Sequence, residues 1–137
     1  MPNANVLVVE DDESIRRLLI DFLKEHSALS VDGARDGVDA LHHVSTRKYD
    51  VVVLDVMMPY MTGIDFLDSL EALTSDPSIK HLDELPAVIV ITSAPPEQIA
   101  TSDLQQRFPE IVRDVLRKPL RGEELARSIE ALLPTAR

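Results

Sequence analysis

Apolar residues run through this chain in two alternating rhythms. Val6 to Val9 is an unbroken apolar run bounded by Asn5 and by the acids Glu10, Asp11, Asp12 and Glu13, as expected of a strand covered on both faces. Ile15, Leu18, Leu19, Phe22 and Leu23 then recur at helical spacing, with the acids at the amino end, where the helix dipole favours negative charge. Leu29, Val31 and Ala34 alternate with polar residues as in a half-buried strand. Gly33 and Gly37 punctuate, and Val38, Leu41 and Val44 give a second helical stripe. Val51 to Leu54 is the next apolar run, and it stops at a lone carboxylate, Asp55. Gly63 opens a third helix carrying Phe66, Leu67, Leu70 and Leu73, which Ser75, Asp76 and Pro77 end.

The polar segment 77–86 reads as an exposed loop. Ala87 to Ile91 is a fourth strand, ending at Thr92 and Ser93. Pro95 and Pro96 can start a helix but not continue one, so a fourth helix is predicted from Glu97 to Phe108, with Ile99 and Leu104 inward. Val115 and Leu116 form a short fifth strand running into Arg117, Lys118 and Pro119. Gly122 and Glu123 introduce a last helix whose stripe is Leu125, Ile129, Leu132 and Leu133. Strands alternating with helices five times, without repeats, predict an α/β fold: a doubly wound parallel sheet with helices on both faces.

Composition narrows the function classes. At 137 residues the chain is expected to be a single domain, 1–137, with its core at about 5–133. The absence of Cys excludes disulfides, thiol chemistry and Cys-based zinc sites, and suits a reducing cytoplasm. No apolar run reaches membrane-span length, and the amino end MPNANVL lacks a basic region or cleavage pattern, so membrane insertion and export are not expected. A formal net charge of −10 argues against direct nucleic-acid binding, which needs clustered Lys and Arg.

The chemistry gathers at strand ends. In open α/β sheets ligands bind at the carboxyl edge of the strands. Four strands of this chain should deliver functional groups to that edge: Glu10 and Asp11, Asp55, Thr92, and Lys118. Carboxylates within about 4 Å repel by roughly 4 kcal/mol per pair at an effective dielectric of 20, so the cluster needs a cation or raised pKa values. Mg²⁺ answers that need, with one or two carboxylates plus a substrate phosphate as its usual ligands. Lys118 offers a compact positive charge and Thr92 a rotatable hydroxyl to phosphoryl oxygens. Asp12 is assigned to helix capping. His42 and His43 are adjacent on the second helix, cannot share a face, and are read as exposed.

The motifs VLVVEDDESIRRLL, VVVLDVMMPYMTG, VIVITS and LRKPL, in that order, resemble the receiver domain of two-component response regulators over nearly the whole chain. The resemblance implies the flavodoxin-like receiver fold, with five parallel strands in order 2-1-3-4-5. It implies that Asp55 accepts a phosphoryl group from a phosphohistidine on a histidine kinase or phosphotransfer protein, or from a small phosphodonor. Mg²⁺ would be held by Asp11, Asp55 and the backbone carbonyl of Met57, with Glu10 acting mainly through water. Thr92 would be the switch hydroxyl and Lys118 the family lysine, with a cis bond to Pro119. The fourth helix, fifth strand and fifth helix would form the surface that docks a downstream protein.

Two departures bear on output. Val115 stands where the family usually has an aromatic residue coupled to the switch, and the segments before the fourth strand and between Thr92 and Lys118 are longer than is typical. Two rival readings are a receiver-like interaction module that is never phosphorylated and a Mg²⁺-dependent phosphatase with an aspartyl nucleophile. The phosphatase generally needs a second Asp two residues after the nucleophile, and that place holds Met57.

Overall fold

The computed structural model describes residues 4–26, 29–55, 63–73, 86–92, 101–118 and 121–133. Strands β1 (Ala4–Val9), β2 (Leu29–Ala34), β3 (Val51–Asp55), β4 (Ala87–Thr92) and β5 (Val112–Arg117) alternate with helices α1 (Glu13–His26), α2 (Gly37–Thr46), α3 (Gly63–Leu73), α4 (Thr101–Arg107) and α5 (Gly122–Leu132). The strands form one sheet in the order β2-β1-β3-β4-β5, and every adjacent pair is parallel. The chain thus starts near the middle, winds to one edge, returns and winds to the other.

Alternation along the strands divides the core. Leu7, Val9, Val52, Leu54, Val88 and Val90 face a cluster completed by Phe66, Leu67 and Leu70 of α3 and by Leu104 and Phe108. Val6, Val8, Val51, Val53, Ile89 and Ile91 face the other way, onto Leu23 of α1 and Leu125, Ala126 and Ile129 of α5. Because β1 and β3 are packed on both faces, their sequences are continuous rather than alternating.

Several sequence expectations are corrected. Leu18 is 69% exposed and Val38 58%, and Ile15 is exposed as well. The face of α1 that meets the sheet is shifted toward Leu19, Ile20, Phe22 and Leu23, and α2 buries Gly37, Ala40 and Val44. Val44 of the expected stripe is buried and Leu41 packs partly against the core, while the small Gly37 and Ala40, which a stripe chosen by size omits, are buried and Val38 is not. The fifth strand is longer than Val115 and Leu116. Its register with β4 shifts between Val88 and Ile89, which pair with Val112 and Asp114. That irregularity puts Val112 and Val115, three apart, against the same cluster, and so hides the period of two. The fourth helix ends at Arg107, not Phe108. Pro109 disfavours helical geometry at Phe108, whose ring is nonetheless fully buried. The expectations for 77–85, for 97–100 including Ile99, and for Ser93, Pro95 and Pro96 lie outside the described residues.

Gly33 lies inside β2, one residue before the strand's last residue, Ala34. Asp12 does cap α1: its Oδ1 accepts the Ile15 N–H at 3.0 Å, and its carbonyl accepts the Arg16 N–H at 2.9 Å. His42 is exposed as expected, but His43 is half-buried, with Nδ1 placed 2.8 Å from the Asp39 carbonyl.

Candidate functional site

Parallel pairing brings the strand ends together. Val9 pairs with Leu54, so Glu10 follows β1 beside the last residues of β3. Asp55 pairs with Ile91, one residue before Thr92. Thr92 pairs with Arg117, and the Lys118 N–H donates to the Thr92 carbonyl at 2.9 Å, carrying the ladder one step beyond the strands. Residues from four segments therefore meet at the carboxyl edge of the central strands.

Their side chains form a compact ionic group. Lys118 Nζ donates to Asp55 Oδ2 at 3.1 Å and to Glu10 Oε1 at 3.4 Å. Glu10 Oε2 accepts the Asp11 N–H at 3.1 Å. Glu10 is 3% exposed, Asp55 7% and Thr92 0%, whereas Asp11 is exposed. The cluster is closed toward the core and open toward Asp11. Thr92, although polar, is wholly inside, so its hydroxyl belongs to the interior of the edge and not to the surface.

Burial and the neighbouring Asp55 carboxylate push the Glu10 acid up to about 8, and Lys118 offsets only part of that rise. Burial alone would lower the Lys118 ammonium, but the hydrogen bonds and charges of Asp55 and Glu10 outweigh it and raise Lys118 above its ordinary value. Lys118 is thus a cation at neutral pH, and the Glu10 carboxyl binds a proton more tightly than an ordinary glutamate does.

One carboxylate oxygen from each of Glu10, Asp11 and Asp55 lies within 4.8 Å of the others, with mixed burial. These are hard oxygen donors, and three carboxyl groups this close together offer the kind of site a divalent cation takes. The donor set fits Mg²⁺, which binds through a few carboxylates and retains open positions for a phosphate. The Met57 carbonyl, expected as a further ligand, and Pro119 lie outside the described residues.

Sequence reading missed the groups that hold this turn from behind. Arg16 Nη1 donates to the Glu10 carbonyl at 2.9 Å, and a glycine inside β2 was the available signal, since a strand glycine often marks a close approach.

The fold and site define an α/β domain with a parallel sheet that carries an acid cluster and a lysine at the carboxyl edge of its central strands. Comparison makes the class specific: the family model described as the response regulator receiver domain matches residues 6–130, and the chain belongs to that family. The chain is 35% identical over 132 residues to Response regulator MprA of Mycobacterium sp. (strain KMS), covering 95% of this chain and 50% of that protein. It is 44% identical over 71 residues to a protein-glutamate methylesterase/protein-glutamine glutaminase of Geobacillus kaustophilus, covering 51% of this chain and 20% of that one. This chain therefore spans half or less of these relatives' length. Among solved structures, response regulator protein TrrA of Thermotoga maritima, in complex with Mg²⁺ and BeF, is similar at a TM-score of 0.74 and 26% identity, covering 95% of this chain and 99% of that one.

The expected strand order and the receiver family are thereby confirmed. No described helix is long and apolar enough to cross a membrane.

Proposed function

We propose that this receiver domain accepts a phosphoryl group on Asp55 from a histidine kinase or phosphotransfer protein and, once modified, presents an altered docking surface to a downstream protein. The observation that carries the reading is the Asp55–Lys118–Glu10 cluster at the carboxyl edge of β3, with Asp11 beside it.

In this reading an Asp55 carboxylate oxygen forms the new O–P bond as the P–N bond of the phosphohistidine breaks. The leaving imidazole nitrogen keeps the bonding pair and gains a proton from solvent. Lys118, already 3.1 Å from Asp55 Oδ2, is placed to exchange that contact for one with a phosphoryl oxygen. Thr92 supplies a hydroxyl that the modified Asp55 would draw toward it. Mg²⁺ held by Asp11, Asp55 and the Met57 carbonyl, with Glu10 acting mainly through water, would neutralise charge on the phosphoryl oxygens. Positioning and charge neutralisation account for the catalysis, since phosphoryl transfer asks for little covalent work from the protein. The domain then assists its own modification and is not an enzyme that turns over an external substrate. A cytoplasmic setting, the absence of direct nucleic-acid contact, and docking through α4, β5 and α5 belong to the same proposal, as does a single domain spanning 1–137 with its core at about 5–133.

The fit of Mg²⁺ to the acids and the similarity to TrrA, whose structure contains Mg²⁺ and BeF, support it. Acetyl phosphate with Mg²⁺ tests it. The receiver reading expects one phosphoryl group retained per chain; continuous turnover would identify a phosphatase, and no uptake an interaction module that is never phosphorylated.

A further inference from the structure

We infer that Arg16 is a positioning residue for the acid pair, an inference that rests on the reading of Glu10 and Asp11 as metal-holding groups. Glu10 begins the two-residue connection between the end of β1 and the Asp12 cap of α1, and both of its backbone groups are held. Its N–H donates to the Ala34 carbonyl at 3.0 Å, and its carbonyl accepts from Arg16 Nη1 at 2.9 Å. Its side chain in turn accepts the Asp11 N–H at 3.1 Å. With all three bonds made, the Glu10–Asp11 peptide plane has one orientation, and that orientation sets the direction in which the Asp11 carboxylate leaves the chain.

The guanidinium bond to the Glu10 carbonyl is charge-assisted, which makes it stronger and more directional than an ordinary hydrogen bond. It also keeps a permanent cation behind a turn bearing two acids.

Arg16 reaches the carbonyl by crossing Gly33. A Cβ built on Gly33 would lie 3.1 Å from Arg16 Cδ, 3.4 Å from Arg16 Cγ and 2.8 Å from Ile20 Cδ1. A side chain there would press first on the tip of Ile20 and then on the arginine stem, so glycine leaves room for both. The stem is half-buried, so the head group arrives at Glu10 along a supported path instead of swinging free in water. Gly33, Arg16 and the Glu10 carbonyl thus form one device spanning β2, α1 and the end of β1.

Arg16→Met, which keeps an unbranched stem over Gly33 and removes the donor, is the direct test; Arg16→Lys returns one donor, and Gly33→Ala displaces the stem without touching either acid. Two readouts apply. In metal-free protein, the Asp11 amide should exchange with deuterium at least fivefold faster in Arg16→Met than in the wild type, with Arg16→Lys in between. By calorimetry, Mg²⁺ should bind about fivefold more weakly to Arg16→Met, with partial recovery in Arg16→Lys and partial loss in Gly33→Ala. Labelling by acetyl phosphate at saturating Mg²⁺ should stay within twofold of the wild type, as positioning requires. Unchanged Asp11 exchange in Arg16→Met overturns the role of Arg16 whatever the metal does. A Lys variant no better than Met in both readouts overturns it too. A wild-type chain that binds no Mg²⁺ overturns the metal reading of the acids, and the exchange readout still judges Arg16.

Discussion

Metal-free protein should lose stability as pH rises, and Glu10→Gln should remove most of that loss. The Glu10 acid lies at about 8 in the folded chain against an ordinary value of 4.5, through burial first and Asp55 second. A carboxyl whose affinity for protons is higher folded than unfolded stabilises the fold fully below its unfolded value, and that contribution is lost as pH rises through the folded value. The window is therefore about pH 4.5 to 8. At about 1.36 kcal/mol for each tenfold change in proton affinity, the loss is at most ~5 kcal/mol. The exposed Asp11 and half-exposed Lys118 let water near the cluster, and an effective dielectric near 20 brings the expected loss to about 2–3 kcal/mol. Lys118 does not contribute in this window. Its raised value means its stabilisation is complete below 10.5 and lost only above its folded value. Burial and the Asp32 hydrogen bond likewise raise the Tyr49 phenol, whose window also lies higher.

Thermal melts in EDTA from pH 5 to 9, wild type against Glu10→Gln, provide the assay. For a chain of this size, roughly 3–4 °C of Tm accompanies each kcal/mol. The Tm gap between the two proteins should therefore move by about 6–12 °C in favour of the variant across the range. The slope of the gap, not its absolute value, carries the result, because glutamine also changes the bonds to Lys118 and the Asp11 N–H. Excess Mg²⁺ should flatten the wild-type slope by keeping Glu10 ionised. A gap that does not change with pH would show that Glu10 carries no raised acid, and the electrostatic account of the cluster would be wrong.

Asp11→Ala should weaken Mg²⁺ binding by tenfold or more, since it removes the most exposed carboxylate of the cluster; calorimetric affinity equal to that of the wild type would count against the acid-pocket account. Phosphorylated protein should lose its phosphate slowly, because Met57 and Ala94, two residues beyond Asp55 and Thr92, cannot orient a water by a strong hydrogen bond. Met57→Asn combined with Ala94→Glu should shorten the lifetime severalfold, and an unchanged lifetime would refute that cause. Beryllofluoride with Mg²⁺ should alter hydrogen exchange from Thr92 to Leu104 without any aromatic switch in β5, where Val115 is β-branched and stiff; changes limited to Lys118 and α5 would contradict this.

The sheet was legible because β1, β3 and β4 are central and carry unbroken apolar runs, and each run gives way to a polar residue that names the functional edge. The site was legible for the same reason: in a parallel sheet, strand ends far apart in sequence become neighbours. What the sequence hid follows from geometry that composition does not encode. Leu18 has the right spacing but the wrong face, and Ala40 is small enough to be overlooked at a close contact. The irregular register between β4 and β5 erased the alternation of Val112 and Val115. Arg16 was missed because its partner is a backbone carbonyl, which no side-chain pattern records, and the glycine inside β2 was its one trace.

Mapping the phosphoryl group after acetyl phosphate treatment in Mg²⁺ tests the central claim most directly. Borohydride reduction of the acyl phosphate followed by peptide mass analysis locates the modified residue. A single modification at Asp55, absent in Asp55→Asn, is the predicted result. Modification at another residue, or full incorporation into Asp55→Asn, would contradict the account.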